Sequence, residues 1–526
     1  MDNKYLIDSK ENKEFMLTNA LRLLEFGRRF PAPGGSSYYL GEDGTPCADK
    51  PRETWITSRM AHVYSIGSML GAFYEARQVK NGTGLCKGGQ TGSSTILYKN
   101  GLLIGNTGTI LDPSYCAVLA KRAIDGLRGE LHDAEHGGWY SGITADGGIL
   151  PDKMCYAHAF VVLAASSALC AGIEGAKELL DEALATFDKY FWDEEEGMTC
   201  DTWNTEFTKL DTYRGLNANM HTVEAFLAVA DATGNNAYRE RAGRIIDRVI
   251  ACASENNYRI PEHYDENWNP QNDLNKDNPA DPFKPYGVTP GHGIEWARLI
   301  TQWAVSTYKN VNNSSDTKSA GISGNTGLNG YEGTIGNKPI GKDACATGNV
   351  QLYDYASATG NKGIRGGENE SITNISVSNQ SIKDRKNKLF MGHYIDIAAK
   401  LYGRAVDDAW CADGAEGLVY TTDLDGRPII HDRMHWTLAE AINTAAVLYR
   451  VTGEDRYAFD FGVLLEYLDK HVMDHENGSW FHQLDSRNIV LTTVWPGKPD
   501  VYHAFQAMMI PYLEVGVSIA SAAKSE

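Results

Sequence analysis

A degenerate repeat runs the length of the chain and constrains it more than any single motif. Six turn-rich stretches combine acidic, aromatic and glycine residues, at 38–46, 132–142, 191–203, 261–270, 410–426 and 473–485. Asp, Asn, Gly and Pro supply the turns while Trp, Tyr and Phe supply short extended character, so each reads as a small, solvated hairpin. An amphipathic stretch with one charged face precedes the hairpins, as in FMLTNALRLLEFG (15–27) and AKELLDEALATFDKYF (176–191). These read as outer helices with one wet side. Each hairpin is followed by a stretch of small, apolar and a few polar residues with little charge: 54–70, 153–169, 217–230, 291–305, 435–450 and 501–513. These read as inner helices. Six of each in alternation predict an all-α fold, an (α/α)6 barrel forming one domain over residues 1–526, with all hairpins at the end where inner helices begin.

Two intervals between hairpins are longer than the rest. Both contain Gly/Asn/Ser/Thr-rich tracts without helical period, at about 76–112 and 309–388. They read as insertions, solvated or disordered by composition, that follow an inner helix and therefore lie opposite the hairpin end.

Composition narrows the ligand. A 526-residue chain with 42% hydrophobic residues can build a large core, and its formal charge of −19 without a Lys/Arg-rich run argues against nucleic acid. The start, MDNKYLIDSKENKEF, alternates charges where a signal peptide needs an apolar core, and no stretch reaches about 18 uncharged apolar residues. A cytoplasmic protein without membrane contact is expected. Nine cysteines without a C-x-x-C pair point to reduced thiols rather than a disulfide framework or a zinc ribbon.

In such a ring, the groups that converge are those in the first turns of the inner helices. Trp55 and Arg59 share one face of the first, and Asn217 and His221 one face of the third, with Glu224 a turn beyond. In the fourth, Thr289 as N-cap and Pro290 at the first position put His292 third, with Glu295 one turn later. The fifth offers His435, Trp436 and Glu440. In the sixth, Asp500 as cap puts His503 third. The helix dipole lowers the pKa of a first-turn histidine and a nearby carboxylate raises it, which poises the group for removing and returning a C–H proton. With tryptophan faces and an arginine to hold a developing oxyanion, the pattern points to proton transfer on a sugar. Glu262, His263 and Asp265 crowd together, but in a turn after a proline, without the spacing of a zinc or calcium site. No phosphate-binding glycine loop or nucleophile elbow is present.

WITSRMAHVYS (55–65), NANMHTVEAFL (217–227), TPGHGIEWARL (289–299) and KPDVYHAFQA (498–507) resemble the N-acylglucosamine 2-epimerase superfamily, in particular its aldose–ketose isomerase branch. The resemblance covers nearly the whole chain outside the two insertions. It implies an (α/α)6 barrel, no cofactor and no metal, and a monosaccharide substrate. It also implies His292 and His503 as the catalytic pair, with Arg59, Asn217, His221 and Glu295 on the sugar; YAHAF, HWTLAE and FHQLD match more loosely and imply Tyr156, Trp436 and Gln483. The implied reaction runs through a cis-enediol, with one histidine opening the ring and the other moving a proton between C2 and C1. The motifs look most like mannose isomerases; sulfoquinovose–sulfofructose isomerisation and sugar 2-epimerisation of the N-acylglucosamine or cellobiose type are the alternatives. A glycoside hydrolase on the same barrel would need two carboxylates flanking one bond, for which Glu224, Glu295 and Glu440 are the candidates.

Overall fold

The computed structural model describes residues 1–80, 97–99, 102–104, 110–111, 113–313 and 379–525. Its helices form two concentric layers. The outer layer holds α1 (Lys10–Gly27), α3 (Pro113–Arg128), α5 (Ala176–Tyr190), α7 (Asn236–Glu255), α9 (Asn379–Ala409) and α11 (Asp455–Tyr467). The inner layer holds α2 (Thr54–Lys80), α4 (Cys155–Cys170), α6 (Leu216–Thr233), α8 (Pro290–Asn313), α10 (His435–Thr452) and α12 (Tyr502–Met509). Each inner helix touches the next and α12 returns to α2, closing an (α/α)6 barrel. A terminal helix, α13 (Ile519–Ser525), packs on α2, α4 and α6.

The charge pattern follows from this layering. Every residue of α4 from Ala157 to Ala168, and of α6 from Ala218 to Ala230, is buried, so neither helix has a wet face. Outer helices such as α5 alternate buried and exposed positions, as their amphipathic sequence requires. α6 and α10 both stop at a left-handed glycine, Gly234 and Gly453, whose N–H bonds back to Ala230 and Tyr449.

All six expected hairpins form, as paired strands or single bridges: Tyr39–Leu40 with Pro46–Cys47, His132 with Trp139, Trp192–Asp193 with Met198–Thr199, Tyr264 with Pro270, Trp410 with Leu418, and Met473 with Trp480. They are not simple solvated turns. The chain just before each inner helix pairs with the following repeat: Arg52–Glu53 with Gly142–Ile143, Lys153–Met154 with Thr202–Trp203, Arg214–Gly215 with His263–Tyr264, Val288 with Thr422, and Arg433–Met434 with Gln483–Leu484. Lys498 with Leu40 completes the circle. Buried cations also reach back into the acidic turns. Lys153 Nζ donates to Asp133 and to the Gly137 carbonyl, both at 2.8 Å; Lys498 Nζ does the same to Asp474 and Gly478 at 2.6 and 2.8 Å; Arg433 holds Asp413 through two nitrogens.

The tracts expected as insertions, 76–112 and 309–388, lie mostly outside the described residues. Their edges are more regular than their composition implies: α2 continues to Lys80, α8 to Asn313, α9 begins at Asn379, and Leu97–Lys99, Leu102–Ile104 and Ile110–Leu111 form a three-stranded antiparallel sheet. Among the described residues six cysteines are free thiols, but Cys411 is disulfide-bonded, against the expectation of reduced thiols throughout. Among the described residues no helix is long and apolar enough to cross a membrane.

Candidate active site

Because the inner helices all start at the hairpin end, their first turns converge on one cavity of about 640 Å³. α2 contributes Trp55 and Arg59, α4 Tyr156, α6 Asn217 and His221, α8 His292 and Glu295, α10 His435 and Trp436, and α12 His503. Loops add Phe283, Tyr420, Trp495 and Asp500. The aromatic rings form a continuous wall: Trp495 meets Trp55 at 6.2 Å and Phe283 at 5.5 Å, and Phe283 meets Tyr156 at 6.3 Å.

His292 and His503 are built alike. The His292 N–H donates to the Thr289 carbonyl, making it the third residue of α8 as its sequence implies. α12 starts at Tyr502, whose N–H is capped by Asp500 Oδ1 at 2.8 Å, so His503 is second rather than third. Val501, at φ −120° and ψ 15°, is still outside the helix. Each imidazole has a carboxylate at Nδ1: Glu262 Oε2 lies 3.0 Å from His292, and Glu440 Oε1 3.0 Å from His503. The first pair is close but misaligned for a hydrogen bond. A carboxylate at Nδ1 holds the proton there and leaves Nε2 free to act as a base. Burial, then Arg59, push the His503 imidazole well below its ordinary range, so it is neutral.

Arg59 is held rigidly. Its Nη1 donates to Asp500 at 3.0 Å and its Nη2 to the Tyr156 hydroxyl at 2.9 Å, and its guanidinium lies 4.5 Å from the Phe160 ring. Burial opposes ionisation of Asp500, but the Arg59 guanidinium beside it holds its carboxyl below the usual range. Several buried atoms in the lining have no hydrogen-bond partner: Trp55 Nε1, Asn217 Oδ1, Glu295 Oε2 and His435 Nε2. A site with unspent donors and acceptors between aromatic walls is suited to a polyol.

Beneath the cavity runs a layer of charge. Arg298, 1% exposed, donates from Nε to Glu440 at 2.6 Å and from Nη2 to Glu295 at 3.1 Å. Glu224 accepts from the Tyr502 hydroxyl and from Gln506 Nε2 at 3.0 Å. On the far side of this layer lies a second cavity of about 470 Å³, lined by His62, Glu224, Arg298 and residues 516–520. His221, Glu224 and Glu295 are the group among the described residues whose ligand-type atoms, within 4.8 Å of one another, could hold a metal ion. They do not fit one well: both oxygens of Glu224 are already bonded, and Arg298 supplies the positive charge beside Glu295. Glu262, His263 and Asp265 diverge, since His263 bonds Tyr213 and the Pro285 carbonyl while Asp265 caps its own turn.

Nine of the eleven expected site residues therefore line one cavity: His292, His503, Arg59, Trp55, Tyr156, Asn217, His221, Glu295 and Trp436. Two do not. Glu224 sits behind His221, 3.5 Å from its Nδ1, in the charged layer. Gln483 is spent on the scaffold: it donates to Asp432 and Thr493 and accepts from the Val494 and Trp495 N–H groups, fixing the loop that carries Trp495. The sequence carries no local signal for Glu262 beside His292, for Asp500 as the partner of Arg59, or for Trp495, whose position in a Gly/Pro loop has no period to read.

The N-acylglucosamine 2-epimerase (GlcNAc 2-epimerase) family model matches residues 108–320 and 382–507. The chain is 35% identical over 408 residues to a D-mannose isomerase of Pseudomonas cannabina pv. alisalensis, covering 77% of this chain and 80% of that one. It is 30% identical over 514 residues to a D-mannose isomerase of Thermobifida fusca, covering 97% of each. A crystal structure of D-mannose isomerase matches with TM-score 0.65 at 20% identity, covering 96% of this chain and 98% of that one. A cellobiose 2-epimerase from Spirochaeta thermophila DSM 6192 matches at 0.60 and 15%, covering 95% and 96%. These structural likenesses bear on the fold alone. Fold, site and relatives together define an enzyme of the isomerase class, a sugar isomerase or epimerase. The chain belongs to the N-acylglucosamine 2-epimerase family.

Proposed function

We propose that this enzyme interconverts D-mannose, or a closely related aldohexose, and D-fructose in the cytoplasm, without a metal, through a cis-enediol. The observation that carries this reading is the pair of cavity-lining histidines, each backed by a carboxylate at Nδ1. His503 protonates and deprotonates the ring and anomeric oxygens to open the pyranose. His292 takes the C2 proton and returns it at C1, and Arg59, fixed by Asp500 and Tyr156, stabilises charge on oxygen. Trp55, Trp436 and Tyr156 supply faces for the C–H side of the sugar, with Asn217 and His221 as hydrogen-bond partners for its hydroxyls.

Charge favours a neutral hexose over a sulfonated one. Among the described lining residues Arg59 is the single Lys or Arg, and it is paired with Asp500. A sulfonate would meet no free cation there. NMR of the EDTA-dialysed enzyme with D-mannose in D2O tests the reading. Fructose signals with deuterium at C1 or retained hydrogen are expected; formation of glucose alone would make the enzyme a 2-epimerase, and activity that disappears on dialysis and returns with Mn²⁺ or Zn²⁺ would overturn metal independence.

A further inference from the structure

Glu224, Glu295 and Glu440 crowd one buried guanidinium, that of Arg298. Three carboxylates against one cation leave more negative charge than a dry layer holds without a proton. The hydrogen bonds locate that proton. Both oxygens of Glu224 are engaged, by Tyr502 and Gln506. Both oxygens of Glu440 are engaged, by Arg298 and His503. Glu295 has one bond, from Arg298 to Oε1, while its Oε2 is buried without a partner in a residue that lines the substrate cavity. A buried carboxyl oxygen with nothing to accept is placed as a hydroxyl awaiting a ligand.

The surroundings agree. Burial, followed by Glu440 on α10, holds the Glu295 carboxyl well above the usual carboxylate range; Glu224 on α6 adds to this. Arg298 on its own helix and Arg59 on α2 oppose it. Tyr156 on α4, His221 on α6, and Tyr502 and His503 on α12 also face this cluster, and His221 and His503 are both held neutral, chiefly by burial.

We propose that Glu295, one turn from His292 on α8, is a third proton carrier of the reaction: a neutral carboxylic acid that exchanges the hydroxyl proton between O1 and O2 of the enediol. This rests on the isomerase reading. Moving a proton from C2 to C1 is only half of an aldose–ketose interconversion, because O1 must also gain a proton and O2 must lose one. As His292 takes the C2 proton, the C2–H pair forms C1=C2 and the C1=O1 π pair moves to O1, which takes the proton from Glu295 Oε2. Glu295, now a carboxylate, takes the O2 proton. The O2–H pair forms C2=O2, and the C1=C2 pair takes the proton from His292 at C1. Both side chains end as they began, and no co-reactant is consumed. In a cis-enediol the two oxygens lie on one side, so a single carboxyl oxygen reaches both.

Glu295→Gln keeps the volume and a donor but cannot release a proton. Its kcat should fall at least about 10²-fold in both directions, with KM within about threefold and native circular dichroism. Wild-type protein in D2O should show the infrared band of a buried protonated carboxyl, missing from Glu295→Gln and kept in Glu295→Asp, which also regains part of the turnover. A Glu295→Gln enzyme within about threefold of wild-type kcat, or wild-type protein without the band, overturns the proposal. Should Glu295→Gln not fold, the wild-type band and the Glu295→Asp turnover decide alone. Wild-type protein inert toward mannose would instead remove the isomerase reading, and the infrared result would still report whether Glu295 is protonated.

Discussion

In the proposed mechanism a histidine at a helix start becomes a base through the carboxylate behind it, and both carboxylates come from distant segments: Glu262 from a hairpin, Glu440 from α10. Replacing His292 or His503 by Ala should lower kcat by at least about 10²-fold with circular dichroism unchanged; near-normal turnover in both variants would end the two-histidine mechanism. Glu262→Gln should lower kcat by roughly tenfold, the lower end of what an orienting partner contributes, while KM stays nearly constant and Glu262→Asp restores part of the rate. The histidines were legible because Thr-Pro-Gly-His and Asp-Val-Tyr-His are local helix starts. Glu262 was not, since its role is set by packing between a hairpin and α8, and its neighbours in sequence invite a metal reading that the structure disperses. Gln483 erred the other way: a polar residue in a matching motif whose four hydrogen bonds all go to protein.

At the level of elements, alternation of wet and dry helices was readable because each periodicity is local. The circle of strand pairs joining each repeat to the next was not, because a strand of two residues has no period. The buried lysines within that circle were also hidden, and the acidic turns that look solvated are where they end. Lys498, fully buried, binds Asp474 and Gly478 and sits two residues before Asp500. Lys498→Ala should therefore cost about 3–5 kcal/mol, the usual penalty for leaving a buried charge unpaired, measured by urea unfolding. The Lys498→Met, Asp474→Leu double variant should lose much less. A single variant within about 1 kcal/mol of wild type would show that the clamp is dispensable.

For the molecule as a whole, acid is the weak side. Burial, the largest effect in each case, holds His62, His221 and His435 down to about 4 and His158 to about 3, from 6.5. Below that ordinary value the unfolded chain binds protons that the folded one refuses. Stability is thus complete above about pH 6.5 and falls as pH drops toward 4, by up to about 1.4 kcal/mol per pH unit for each histidine. Thermal melts at pH 7, 6 and 5 check this, and an unchanged Tm across that range would contradict it. The long tracts should matter less. Both leave the C-terminal end of an inner helix, and at 1.5 Å per residue the length of α8 puts its end roughly 30 Å from His292. Replacing residues 81–112 and 314–378 by short Gly/Ser loops should leave KM within about threefold; a folded variant that no longer turns over sugar would place those tracts at the site. Composition marked them as interruptions but concealed that helices and a small sheet extend into them.

The layer built from Glu224, Arg298 and Glu440 closes the barrel across its axis. Among the described residues it separates the cavity lined by His292 and His503 from the one lined by His62 and residues 516–520. In the proposed reaction, aldose and ketose then occupy the same side of that layer. Product is therefore expected to inhibit competitively, which initial rates with added fructose check as a raised KM for mannose at unchanged kcat.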